Sequence, residues 1–392
     1  MEIYFDNAAT TRVYDSVCRV MTEAMQVNYG NPSSLHMKGV DAEKYIRSAR
    51  ETIARVMKVD EKEIIFTSGG TESNNMALIG GALANQRAGK HIITTRIEHA
   101  SVYNPLFELE NNGFEVTYLP VDAMGTIDLD GLRAAIRPDT IIVSVMCVNN
   151  EIGTIEPLDK IGRIVKAVNP GTLYHVDAIQ GFGKMRIYPK RLGIDMLSVS
   201  GHKLHGPKGC GFLYIKDKVK VRPLILGGGQ QKDMRSGTEN VPGIAGLCEA
   251  VRCTYDSLEE KLDRLYELRA YFIQQIGSLE RIRINGFLQR EEGFWGPAPH
   301  IVSVSFEDVR AEVLLHALEE RGIYVSSGSA CSSNHPAVSG TLKAIGVEKK
   351  YLDATIRFSF SYETTKEEID YCIEALKAIV PMLRRFTPGG RK

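Results

Sequence analysis

The sequence predicts an α/β protein: a large domain built on a mostly parallel seven-stranded sheet, joined to a smaller α+β domain. Three observations carry that reading. From Glu63 to Ile215, short apolar runs bounded by turn formers alternate with stretches of helical spacing, the pattern of a parallel sheet covered by helices on both faces. Polar residues concentrate at the strand ends, at His99, Asn149, Asn150, Asp177 and Ser200, and strand interiors are expected to lack them. Ligands of such sheets sit beyond the carboxyl ends of the strands. Beyond Val241 the spacing changes to long helices, then to a shorter strand–helix–strand–helix series. The expected division is 15–255 for the large domain, with 1–14 and 256–392 forming the small one.

Ile3 to Thr11 starts extended and turns polar, as an arm laid across another part of the fold. Tyr14–Met25 and Val40–Met57 have helical spacing, and Asn28–Ser34 between them is rich in turn formers. A strand ends in Gly69-Gly70-Thr71, and a helix follows to about Gln86. Further strands are expected at His91–Thr95, Val116–Leu119, Ile141–Val148, Leu173–Val176, Met196–Val199 and Gly211–Ile215. Helices are expected at Val102–Asn111, Leu129–Ile136 and Leu158–Val168. Val241 to Ile276 reads as one long helix or two in succession. Strands at Ile301–Phe306 and Thr355–Phe360 then alternate with helices at Arg310–Arg321 and Lys366–Leu383.

Composition narrows the function classes. Apolar residues make up 43% and charged residues 24% of 392 residues, as in an ordinary globular enzyme. Forty-eight basic and 48 acidic residues cancel, so there is no global drive toward nucleic acid or anionic lipid. No apolar run is long enough for a membrane span, and the first residues lack a basic secretory start. A cytoplasmic location is expected. Seven scattered cysteines without a Cys-x-x-Cys pair argue against a disulfide framework and against a zinc site.

Candidate chemistry centres on Asp195 to Gly211. The apolar strand Met196–Val199 delivers Ser200, His202 and Lys203 into a glycine-rich loop. A lysine at the mouth of an apolar strand can lose hydration and become a nucleophile able to hold an aldehyde cofactor as a Schiff base. Rival motifs fail on spacing. Gly201 and Gly206 have a phosphate-loop gap, but no Ser or Thr follows Lys208; His202 and His205 are too close for a zinc-protease helix. The Gly69-Gly70-Thr71 turn points backbone N–H groups at one spot and suits an anion. Asp177 is either a helix N-cap boxed by Gln180 or a buried carboxylate paired with a pyridine nitrogen. His99 is either a structural histidine or a catalytic imidazole stacked on a flat cofactor and able to shuttle protons. Cys331, in the Ser- and Gly-rich stretch Tyr324 to Pro336, is either a loop thiol or a displayed nucleophile.

Several stretches, in this order, together resemble the cysteine desulfurases of the NifS/IscS group, among the class-V aminotransferases and fold-type I pyridoxal phosphate enzymes. They are Tyr4-Phe-Asp-Asn-Ala-Ala-Thr-Thr, Gly30-Asn-Pro-Ser-Ser, Thr67-Ser-Gly-Gly-Thr-Glu-Ser-Asn-Asn, Glu98-His99 and Val148-Asn-Asn-Glu-Ile-Gly. His175-Val-Asp-Ala-Ile-Gln, Ser200-Gly-His-Lys, Arg235-Ser-Gly-Thr-Glu-Asn, Ser327-Gly-Ser-Ala-Cys and Ile356-Arg-Phe-Ser complete the series. The resemblance implies pyridoxal 5'-phosphate on Lys203, with Asp177 at the ring nitrogen, Gln180 at the ring hydroxyl and His99 stacked on the ring. It places the phosphate among Gly70, Thr71, Ser200 and His202, with Thr238 supplied by a second subunit of a homodimer. Arg357 and Asn150 would hold the carboxylate of L-cysteine, Lys203 would move the substrate α-proton, and Cys331 would take the sulfur as a persulfide.

The implied partners are L-cysteine and a sulfur-acceptor protein, such as an iron–sulfur scaffold or a tRNA-thiolation enzyme. No metal, membrane or direct nucleic-acid contact is expected. The alternatives are a selenocysteine lyase or aminotransferase of the same fold, or a non-catalytic scaffold for sulfur acceptors. The chain departs from the family pattern at Phe360-Ser-Tyr-Glu-Thr-Thr365 and at Asn334 to Gly340, stretches expected to flank the acceptor surface.

Overall fold

Strands that are mostly buried assemble into one seven-stranded sheet, which the chain reaches after a short arm and two helices. The computed structural model describes residues 2–289, 296–327 and 339–386. The arm contains β1 (Ile3–Tyr4). The sheet strands follow as β2 (Ile64–Thr67), β3 (His91–Thr95), β4 (Glu115–Leu119), β5 (Thr140–Met146), β6 (Leu173–Asp177), β7 (Met196–Ser200) and β8 (Gly211–Ile215). Their order is β2-β8-β7-β6-β5-β3-β4. Strands β7, β6, β5, β3 and β4 pair in parallel, while β8 is antiparallel to both β7 and β2. The carboxyl ends of β5, β6 and β7 therefore open on one side.

Three antiparallel strands make a second sheet in the order β12-β10-β9: β9 (Ile282–Asn285), β10 (Ile301–Phe306) and β12 (Thr355–Ser359). The arm strand β1 pairs in parallel with β11 (Ile323–Tyr324). Single bridges Asp6–Ser359 and Ser326–Arg357 fasten both to β12. The sequence predicted an arm crossing the fold, but not β9 or the β1–β11 pair. Their four- and two-residue lengths carry too little pattern to be read.

Two main apolar clusters underlie these sheets. One joins Val17, Ile46, Val143, Val176, Val199 and Ile244. It includes the packed helices Asp15–Gln26, Met37–Met57 and Val241–Tyr255. The other joins Phe5, Leu265, Phe272, Val304, Phe358 and Leu376. Side chains of this size contribute about 1.5–3 kcal/mol each when fully buried. The helical stretch after Val241 breaks between Tyr255 and Leu258, where Ser257 takes φ 52°. Among the described residues no helix is long and apolar enough to cross a membrane.

Two expectations are corrected. Strand interiors are not free of polar residues: Ser144, His175 and Ser198 stand in β5, β6 and β7. They satisfy one another, with His175 Nδ1 at 2.8 Å from Ser144 Oγ and Nε2 at 3.0 Å from Ser198 Oγ. Mutual hydrogen bonding removes most of the cost of burying them. Next, no helix starts at Gln180. Asp177 Oδ1 accepts from the Ile179 N–H at 3.0 Å, closing a turn instead of a capping box. Phe360 and Tyr362, in a stretch that departs from the family pattern, belong to the interior. The Tyr362 hydroxyl donates to the Gly183 carbonyl at 2.7 Å, and the Lys184 amine lies 4.7 Å from the ring centre.

Candidate active site

A cavity of about 330 Å³ opens beyond the carboxyl ends of β5, β6 and β7. Its wall includes Gly70, Thr71, His99, Asn150, Asp177, Gln180, Ser200, His202, Lys203 and Arg357. Ten sequence-predicted residues thus meet at one place. Thr238 does not line this cavity and is exposed. Cys331 lies outside the described residues.

Gly70 and Thr71 begin a helical run that extends to Asn85, with a π-helical segment over Met76–Gly80. The preceding Gly69 has φ 145°, a conformation that side chains disfavour. Directly across from it, a Cβ on Gly211 would come within 2.8 Å of the Gly69 Cα. Glycine at both positions lets the loop after β2 settle on β8 and aim the helix start at the cavity. Ser200 ends β7, and the single 3₁₀ turn Gly201–Lys203 carries His202 and Lys203. His202 Nδ1 is 3.2 Å from Thr10 Oγ1. Burial, followed by the Lys203 and Lys208 charges, pushes the His202 pKa down to about 4. This side chain is therefore neutral at physiological pH and contributes a dipole, not a charge.

The Lys203 amine donates to the carbonyls of Ala8 and Ala9, both at 2.6 Å. The N-terminal arm thus forms part of the wall. It is held there by Thr11, whose N–H and hydroxyl both donate to the His202 carbonyl at 2.9 Å. Gln180 Nε2 also donates to the Ala8 carbonyl, at 2.8 Å.

Asp177 is buried at the end of β6. It accepts from Asn74 Nδ2 at 2.8 Å as well as from the Ile179 N–H. Burial raises its pKa, against these two donors and the nearby Lys203 charge. Asn74 Nδ2 also reaches Ser101 Oγ at 2.9 Å. Ser101 Oγ in turn lies 2.9 Å from His99 Nδ1. The sequence reading missed Asn74 and Ser101. The first stands inside the quoted Thr67–Asn75 stretch, and the second is two residues past His99, in the first turn of the helix that His99 caps.

Arg357 is buried in β12. Its guanidinium donates to the Asn150 carbonyl and to Asp6 Oδ1, each at 2.8 Å, and Nε finds no partner among the described residues. Asp6 was not anticipated either, because its partner lies 351 positions away. Behind the site, Glu98 accepts from Thr95 Oγ1 at 2.6 Å and from the Met146 N–H at 3.1 Å. Burial pushes its pKa up to about 8.

The class-V aminotransferase family model matches residues 3–372. A cysteine desulfurase IscS of Dictyoglomus turgidum is 42% identical over 388 residues, 99% of this chain and 96% of that protein. One from Methanosarcina thermophila is 44% identical over 386 residues, 98% of this chain and 94% of its own. A solved NifS-like protein superposes with a TM-score of 0.91 at 39% identity, covering 97% of this chain and 100% of that one. Enzymes of this family depend on pyridoxal 5'-phosphate.

The cavity fits that group on its own chemistry. A helix start with Thr71, Ser200 and His202 offers donors to a phosphate. A buried carboxylate at Asp177 suits a protonated ring nitrogen, and the Lys203 amine lies on the same wall. Full-length sequence identity, the shared fold and this donor set place the chain in the class-V aminotransferase family, among the cysteine desulfurases of the NifS/IscS group.

Proposed function

We propose that this protein is a cysteine desulfurase that takes sulfur from L-cysteine, releases L-alanine and passes the sulfur from Cys331 to an acceptor protein. The observation that carries this reading is the placement of Lys203, Asp177 and Arg357 on one cavity wall. An amine, an anion and a guanidinium are what an aldehyde cofactor and an amino acid require together.

Gly70, Thr71, Ser200 and His202 hold the cofactor phosphate, Asp177 keeps the ring nitrogen protonated, and Gln180 donates to the ring hydroxyl. His99 covers the ring. Once bound, pyridoxal phosphate draws electrons from the substrate Cα and makes the substrate sulfur open to attack. Arg357 and Asn150 bind the substrate carboxylate, and Lys203 carries the α-proton. Cys331 accepts the sulfur: its thiolate forms the S–S bond as the substrate C–S bond breaks, and the freed carbon is reprotonated to alanine.

Reach supports Cys331 in this role. Ser326 lines the cavity, and Cys331 follows five residues later, a span of up to roughly 17 Å of extended chain. On the far side of the loop, Ser339 Oγ donates to Glu151 Oε2 at 2.5 Å, next to Asn150.

We place the enzyme in the cytoplasm as a homodimer of two-domain subunits, divided at 15–255 against 1–14 with 256–392. Thr238 is exposed and does not line the cavity of its own subunit, which suits donation to the other one. Leu35 and Leu226 stand 102% and 78% exposed in the 28–36 and 224–230 loops, and a second copy would cover such apolar side chains. The acceptor is an iron–sulfur scaffold or a tRNA-thiolation enzyme.

Cys331→Ser tests the function directly. Cofactor absorbance stays as in wild type, while alanine and sulfide production from cysteine is lost. Wild-type turnover in this variant would refute the persulfide route.

A further inference from the structure

The hydrogen bonds around His99 determine which of its nitrogens carries the proton. His99 is the N-cap of the helix Ala100–Asn111, and its Nδ1 accepts the Ser101 backbone N–H at 3.1 Å. A backbone N–H can only donate, so Nδ1 is the unprotonated nitrogen. The Ser101 hydroxyl, 2.9 Å from the same atom, must then donate to it as well. Ser101 Oγ is left as an acceptor, and it faces Asn74 Nδ2 at 2.9 Å. The other Asn74 N–H goes to Asp177 Oδ2 at 2.8 Å.

Asp177 fixes the direction of this chain. Turning the Asn74 amide over would set its carbonyl oxygen against a carboxylate and would offer nothing to Asp177. The observed orientation leaves the buried Asn74 Oδ1 without a partner among the described residues, and the two N–H bonds outweigh that cost. The order therefore runs from Asp177 through Asn74 and Ser101 to His99, each link donor to acceptor. A second effect acts in the same direction, since the positive end of the helix disfavours an added proton at its cap. A neutral imidazole held this way is an electrophile and a poor base.

We propose that Asn74 and Ser101 are positioning residues that hold His99 as the neutral imidazole protonated on Nε2, so that it meets the substrate as a hydrogen-bond donor and not as a base. The proposal rests on the desulfurase reading for its substrate, but the tautomer itself does not. Proton abstraction is left to Lys203, whose amine borders the same cavity.

Solid-state nitrogen NMR of the histidine-labelled protein, with and without cofactor, reads the tautomer directly; subtracting the spectrum of His99→Gln assigns the signals. The expected result around neutral pH is an unprotonated Nδ1 and a protonated Nε2. A proton on Nδ1, alone or in an imidazolium, overturns the proposal. Kinetics give an independent reading. Glutamine keeps an N–H donor without a basic nitrogen, so His99→Gln should stay within roughly tenfold of wild-type kcat, whereas loss of a true base costs on the order of 10²–10⁴. Ser101→Ala should lower kcat by roughly tenfold, and Ser101→Thr should restore it. An unchanged spectrum and kcat in Ser101→Ala would remove Ser101 from the chain. Because the spectrum does not depend on turnover, failure here is separable from failure of the Cys331→Ser test.

Discussion

The two sheets serve the site in opposite ways. The seven-stranded sheet contributes at its strand ends: Asn150 just beyond β5, Asp177 closing β6, Ser200 closing β7 and Lys203 in the turn after it. The three-stranded sheet contributes from the middle of a strand, where Arg357 sits between Ile356 and Phe358. In the large sheet helices cover both faces, so side chains within the strands are buried and only the ends face a cavity. In the small sheet β12 alternates. Ile356 and Phe358 enter the apolar cluster, while Arg357 turns to the other face, toward Asp6 and the Asn150 carbonyl. On the proposed reading, cofactor chemistry falls to the strand ends, and substrate recognition to Asn150 together with a strand interior brought up from across the cavity.

That division predicts effects of different kind and size. Lys203→Ala should abolish the bound-cofactor absorbance and lower turnover by on the order of 10³ or more; a residual rate close to wild type would take the strand-end lysine out of the chemistry. Arg357→Lys should act on the other side of the division. Losing the guanidinium fork should raise KM for cysteine roughly 10- to 100-fold with kcat little changed. A fall in kcat at constant KM would show that the small sheet also shapes the chemical step.

A third effect concerns stability alone. Glu98 has a folded pKa raised to about 8 from an ordinary 4.5. Between those values the folded protein keeps a proton that the unfolded chain releases. Its contribution to stability therefore declines as pH rises through that window, by up to about 1.4 kcal/mol per pH unit. Glu98→Gln keeps an acceptor for the Met146 N–H without the charge. Its Tm should gain on wild type progressively between those two pH values and level off above the upper one. A constant Tm difference across the window would mean that Glu98 is ionised in the fold.

Much of the site was legible because its residues sit at places that local pattern marks. Apolar runs with turn formers located the strand ends, and His99, Asp177, Ser200 and Lys203 all stand there. The Asp177–Gln180 spacing left a capping box open as an alternative, and the structure closes it with a turn. Polar residues within strands were misjudged: a Ser144–His175–Ser198 set becomes inexpensive only when three strands align it. In the Phe360–Thr365 stretch, Tyr362 is interior because Gly183 and Lys184 come to meet it, a pairing no local pattern marks.

The sequence by itself determined the alternation of strands and helices, the order of the motifs and the residue types able to hold a cofactor, because each is written in neighbouring residues. Only the tertiary structure decided that the N-terminal arm walls the cavity, that Asp6 orients Arg357, and that Asn74 and Ser101 join Asp177 to His99. These are pairings between segments far apart in the chain, and their partners are chosen by how the sheets pack, which no local pattern records.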